Sequence, residues 1–88
     1  MMTPTIHMNG TSRNSLLDEI KDATHALSVA IEKLCAMRPN ARDYYPQGPE
    51  AFAKARQEHQ CRINSVGAVR QELNTLAESI LDDFAGRK

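Results

Sequence analysis

Tryptophan is absent from these 88 residues, tyrosine and phenylalanine occur twice each, and there are only two cysteines. Cys35 and Cys61 stand too far apart to read as a zinc-ligand pair, and two cysteines make no disulfide framework. A reducing compartment is therefore the expected setting. No run approaches the roughly 18 apolar residues that would span a bilayer, and Met1 to Gly10 lacks the cationic start and apolar centre of a secretory signal. These absences predict a soluble, cytoplasmic protein with no membrane partner. An excess of one charge is missing too. Eleven basic residues balance eleven acidic ones, five against five through Tyr45 and six against six beyond it. That argues against the basic footprint of a nucleic-acid binder. There is no glycine-rich phosphate loop and no serine or cysteine nucleophile placed beside a base. No catalytic residue, metal or cofactor is expected, and the chain reads as one that acts by binding.

What is present is helix-period hydrophobicity in two blocks, with an arm at 1–11 and a short tail at 86–88. The first block predicts a helix over 12–37. In heptad notation Ile20, Leu27 and Leu34 occupy a, Leu16, Ala23, Ala30 and Met37 occupy d, and Leu17 and Ile31 broaden the stripe at e. Thr11-Ser12 and Ser15 compete as the N-terminal cap. Pro39 ends the helix, because it disfavours α conformation at Arg38 and cannot continue the ladder. The second block predicts a helix over 49–85, opened by Pro49 and Glu50 and closed by Gly86. There Phe52, His59, Val66, Leu73 and Ile80 occupy a, Ala55, Arg62, Val69 and Leu76 occupy d, and Ile63, Ala77 and Phe84 occupy e. Gly67 in mid-helix suggests either close approach of another backbone or a tolerated surface glycine.

The expected fold is all-α, an antiparallel helical hairpin joined by a loop over 38–48. Folding about Asp43 sets Leu34 beside Phe52, Leu27 beside His59, Ile20 beside Val66 and Arg13 beside Leu73. The second helix then overhangs the first, leaving Leu76, Ile80, Leu81 and Phe84 without a neighbour. Each of these side chains stabilises by about 1.5 to 3 kcal/mol if fully buried. Ile6 and Met8, in a strand-like alternation over Thr3 to Met8, could cover the overhang from the same chain or pair with another. Two hairpins joined along their stripes make a four-helix bundle, so a homodimer or higher oligomer is expected. Its interface would use Leu73, Leu76, Ile80 and Phe84 with Ile6 and Met8.

Four groups of side chains bear on function. Arg42, Asp43, Tyr44 and Tyr45 place arginine and both tyrosines at one turn, the residue types that dominate binding hot spots. They form a partner-binding loop, or the rings cap the end of the helix seam. His59 sits on the core face, as a pH-responsive contact or as a hydrogen-bonded interface residue. His25, Cys35 and Cys61 do not converge on one face, as zinc would require. Glu19 and Asp22, with Glu78, Asp82 and Asp83, resemble in spacing the acidic pairs of helical metal-dependent pyrophosphohydrolases, but they flank the stripe on its solvent side. A metal-dependent hydrolase is thus a distant alternative. A nucleic-acid accessory protein using Arg13, Arg38, Arg42 and Arg56 is a nearer one.

Two stretches, 6–12 (Ile6-His7-Met8-Asn9-Gly10-Thr11-Ser12) and 40–48 (Asn40-Ala41-Arg42-Asp43-Tyr44-Tyr45-Pro46-Gln47-Gly48), resemble segments of small proteins encoded by bacteriophages and prophages. Glu58-His59 with Arg62 fits the same pattern. The resemblance implies a genomic setting, with the host cytoplasm as location, and supplies no activity. The length and hairpin form are also similar to small type VII secretion substrates, but no Trp-x-Gly occurs in the turn.

Overall fold

The computed structural model describes residues 1–85, and side-chain surroundings for 1–82. It is helical throughout: α1 spans Arg13–Ala36, a short α2 spans Ala41–Tyr44, a 3-10 turn follows at Tyr45–Gln47, and α3 spans Ala51–Ala85. No strand forms among the described residues, and Thr3 to Met8 is irregular chain leading into a turn closed by Gly10 N–H on His7 O at 3.1 Å. The expected alternation of the arm is therefore not a strand.

The ends of α1 have identifiable causes. Ser12 is the N-cap, its hydroxyl accepting from the Ser15 backbone N–H at 3.1 Å, and Ser15 serves Ser12 in turn through their paired hydroxyls at 3.0 Å. At the other end Met37 N–H closes on both Lys33 O and Leu34 O. Beyond Pro39 the chain restarts at once. Asn40 caps α2 by accepting from Arg42 N–H at 3.0 Å, an Asx turn that satisfies a helix-start donor. Gly48 then adopts φ 106°, ψ 166°, a region open in practice only to glycine, and the chain turns into α3 at Ala51, two residues after the expected Pro49.

α1 and α3 lie antiparallel along each other, and α2 and the 3-10 turn pack on the start of α3. This small helical cap corrects the expected pairing. His59 Nε2 meets Leu34 O at 2.6 Å, so Leu34 stands beside His59 and not beside Phe52. Carried along by heptads, the same register sets Leu27 beside Val66, Ile20 beside Leu73 and Arg13 beside Ile80. The shift is seven residues, or two helical turns, because the first turns of α3 pack against α2 and the 3-10 turn. Ile80 was expected in an overhang. It is instead the most buried apolar side chain described, 1% exposed, and only residues 81–85 of α3 extend past the start of α1.

Burial also selects which rows meet. The a row is shielded on both helices: Ile20, Leu27 and Leu34 on α1, Phe52, His59, Val66, Leu73 and Ile80 on α3. The second seam row is e, with Leu17, Thr24 and Ile31 facing Ile63, Arg70 and Ala77, while Ala23, Ala30, Met37, Arg62 and Val69 of the d row are exposed. Side-chain size accounts for the choice on α1, where the e row offers leucine and isoleucine and the middle of d offers alanines; on α3 the e row carries Arg56 and Arg70 and follows the row chosen by α1. The result is a rod of 63 × 19 × 18 Å with a radius of gyration of 19.2 Å, where a compact chain of this length would have about 12 Å.

Candidate functional site

Three features of this rod could carry function: the buried histidine, the cap at the loop end, and the row of side chains that the seam leaves out.

His59 is 4% exposed. Its two ring nitrogens have partners of opposite character. Leu34 O only accepts, so Nε2 carries the proton and donates to it at 2.6 Å. The Arg62 guanidinium only donates, so Nδ1 is the acceptor of its Nη1–H at 3.4 Å. Both partners thus select one neutral tautomer. Leu34 O belongs to the last turn of α1, whose carbonyls lack a full set of intrahelical donors. His59 therefore acts as a C-terminal cap for α1 delivered from α3, the hydrogen-bonded alternative of the two readings above. The heptad placed His59 on the core face, but its partner followed only from the register set by α2. Further along the seam Arg70 lays its stem across the helices and donates from Nη1 to Ser28 Oγ at 3.3 Å.

At the loop end the structure separates the two tyrosines. Tyr44 is half-buried, whereas Tyr45 is 84% exposed. Both line a cleft of about 410 Å³ with Ala41, Gly48, Pro49 and Phe52, so one ring braces the cap while the other is free. Arg42 and Asp43 are exposed on α2 and stand outside this cleft. A larger open groove of about 770 Å³ runs alongside, lined among others by Cys35, Arg38, Asn40, Arg56 and His59. Arg56 lies over the Phe52 ring at 5.6 Å.

The arginines of the nucleic-acid alternative do not assemble. Arg38, Arg42 and Arg56 gather at the loop end, while Arg13 opens α1 about 36 Å away along a 24-residue helix. His25 lines a polar cleft with Lys21, Thr24, Ser28, Arg70 and Asn74, and the register shift moves it away from Cys61. Both cysteines are free and exposed. No group of three potential metal ligands converges among the described residues, and no described helix is long and apolar enough to cross a membrane.

Of the interface residues expected from sequence, Ile80 is enclosed within the chain, Leu73 and Leu76 are half-buried, Ile6 is half-buried and Met8 is fully open. Phe84, like the Gly86 stop, lies outside the described residues. The apolar surface left least covered is the d row, where Ala23, Ala30, Met37, Arg62 and Val69 are exposed while Leu16, Ala55 and Leu76 are half-buried. In an antiparallel helix pair, equivalent heptad positions fall on the same side. Leu16, Ala23, Ala30 and Met37 of α1 therefore share one face with Ala55, Arg62, Val69 and Leu76 of α3. The opposite face carries the b positions, polar in the middle at Lys21, Ser28, Gln60 and Asn74, with Cys35, Ala53 and Leu81 towards its ends.

Folding also re-sorts the charge. The loop-proximal half, residues 35–62, holds five basic residues (Arg38, Arg42, Lys54, Arg56, Arg62) against three acidic ones (Asp43, Glu50, Glu58). The far half, residues 12–34 and 63–85, holds four basic residues (Arg13, Lys21, Lys33, Arg70) against eight acidic ones (Asp18, Glu19, Asp22, Glu32, Glu72, Glu78, Asp82, Asp83). Arg87 and Lys88 follow Ala85 in the sequence and reduce the acidic excess at that end from four to two, so a chain balanced along its sequence is modestly polarised along its length in space. No family model matches the chain, and neither curated proteins nor solved structures give a significant match.

Proposed function

We propose that this protein is a small, non-enzymatic assembly module, of the phage type that its arm and loop segments resemble. It self-associates through its helices into a four-helix bundle and engages another protein through the loop end. The observation that carries the reading is the mismatch between shielded and unshielded apolar surface. The described residues contain one fully buried apolar side chain, Ile80, and beside the seam run Leu16, Ala23, Ala30, Met37, Val69 and Leu76 with no intrachain cover beyond partial shielding. Ordering a residue costs about 1 to 2 kcal/mol in backbone entropy. A single seam of half-buried side chains offsets that poorly, and a second helix pair laid over the d row would double the apolar contact.

The loop end supports the second half of the reading. Tyr45 stands exposed beside a cleft of binding-site size, held on a cap stiffened by Pro39, Pro46 and Pro49, which lowers the entropy lost on docking. This end lies beyond α1, clear of the middle of the d row, so covering that middle leaves the Tyr45 side of the cap open.

Sedimentation equilibrium tests the assembly directly. The expected mass is twice the 9.8 kDa chain or a higher multiple, and Ala30→Glu with Val69→Glu should return it to a monomer. A wild-type monomer from micromolar to millimolar concentration would overturn the proposal.

A further inference from the structure

Resting on the self-association reading, we infer that the occupant of the d-row face is a second copy of this chain seated antiparallel to the first. A two-fold axis passes between the levels of Ala23 and Ala30, and each basic loop end lies against the acidic far end of the other copy.

The argument begins with the order of the row. From the loop end outward it presents Met37 with Ala55, Ala30 with Arg62, Ala23 with Val69, and Leu16 with Leu76, by the register that Leu34 and His59 establish. The two ends are apolar and the middle is small, apart from Arg62. A two-fold interface brings this series against a copy of itself. Placed parallel, with loop ends together, each Arg62 would lie over Ala30 of the other copy, and the two like charges would stand diagonally at one level near the centre of the interface. The two loop halves, each with basic residues in excess, would also lie together, as would the two acidic ends. Placed antiparallel, Met37 and Ala55 meet Leu16 and Leu76, and large side chains fill the space over small ones. Arg62 then falls over Ala23 and Val69 of the second copy, within reach of Glu19 and Glu72 at the border of the same face. Arg62, Glu19 and Glu72 are all exposed in the single chain.

Magnitudes divide the work between the two effects. Exposed ion pairs each contribute little and are screened within about 10 Å. They cannot hold the dimer together, but an excess of basic residues at one end, five against three, and of acidic ones at the other, eight against four through Ala85, favours one of two orientations of the same apolar face. The polar face is not a competing surface. Its middle carries Lys21, Ser28, Gln60 and Asn74, and its apolar members, Cys35, Ala53 and Leu81, stand apart at the two ends.

Electron–electron distance spectroscopy on the full chain reads the orientation. With Cys35→Ser and Cys61→Ser removing the native thiols, Tyr45→Cys supplies one exposed labelling site at the loop end. The antiparallel arrangement places the two labels on the order of 50 Å apart, from a rise of about 1.5 Å per residue on either side of the axis. A parallel dimer holds them about 20 Å apart, close to the 19 Å width of one rod. The long distance, in a sample whose mass is that of a dimer, supports the inference. A short distance in a dimer overturns the orientation and leaves self-association standing, whereas a monomeric mass at every concentration removes both. A second pair of variants is independent of labelling. Arg62→Glu should weaken the dimer at least ten-fold, and Glu19→Arg with Glu72→Arg in the same chain should restore most of that loss. Failure of the charge exchange to restore it would equally count against the antiparallel seat.

Discussion

His59 shows how a single side chain can hold two helices in register. It fills a place in the seam, donates to the end of α1 and accepts from Arg62, and no apolar residue can do all three. His59→Ala should lose the bond to Leu34 O, leave Arg62 without its acceptor and open a cavity. The expected destabilisation is about 2 to 3 kcal/mol, measured by urea denaturation at fixed protein concentration because assembly and folding are linked. His59→Leu separates the terms. It keeps the volume and loses the bonds, so its cost should be about half as large. The two mid-chain glycines make a second contrast. At Gly48 an added Cβ meets nothing within 4 Å, yet φ is +106°, so Gly48→Ala should cost about 1 to 3 kcal/mol through backbone strain. Gly67 is helical with open space around it, so Gly67→Ala should stabilise by up to about 1 kcal/mol. Thermal unfolding of the two variants should therefore shift in opposite directions. Of the two readings of Gly67, the open surface position is the one observed within the chain.

At the level of elements, much was legible in the sequence and the remainder has a physical cause. The expected first helix over 12–37 became Arg13–Ala36 with both neighbours as caps, since its periodicity is strong and Ser12 and Pro39 bracket it. Ser12→Ala should cost about 1 kcal/mol and Ser15→Ala less, because Ser12 accepts from the backbone while Ser15 serves it only through its hydroxyl; melting temperatures of the pair decide which serine is the cap. The sequence puts a, d and e together on one stripe three rows wide, and periodicity does not say which two of those rows touch. The register was misassigned because α2 is only four residues long, too short to show a period. Its one local signal is Asn40 ahead of Ala41-Arg42-Asp43-Tyr44, a cap without a visible helix. A loop read as a simple turn then shifted every facing pair by seven residues. The candidate site suffered in proportion. The composition of the tyrosine loop can be read from the sequence, whereas the His59 bond to Leu34, the bridge from Arg70 to Ser28 and the groove beside Arg38 and Arg56 all depend on the corrected register.

For the whole molecule the governing dimension is its length. A rod of 63 Å that dimerises side by side and antiparallel gains thickness without gaining length. Small-angle scattering should then give a maximum dimension near 65 to 70 Å for the dimer, close to the 63 Å of one chain, with doubled mass. End-to-end association through the arm or the loop cap would instead approach twice that length, and such a result would move the interface away from the d row. The polarity of charge along the rod belongs to the same scale. It is invisible in either half of the sequence and arises only when the chain doubles back.

The placement of both tyrosines at one end, in a chain with no tryptophan, makes the protein its own optical reporter. Near-ultraviolet absorption and intrinsic emission come almost wholly from Tyr44 and Tyr45, one half-buried and one exposed. Nothing along the helix faces emits. In the antiparallel dimer the far end of the second copy lies level with the rings, so titrating the chain with itself should change this signal as the dimer forms. Once assembly is saturated, any further change in tyrosine intensity or anisotropy would register an event at the loop end, with no label attached.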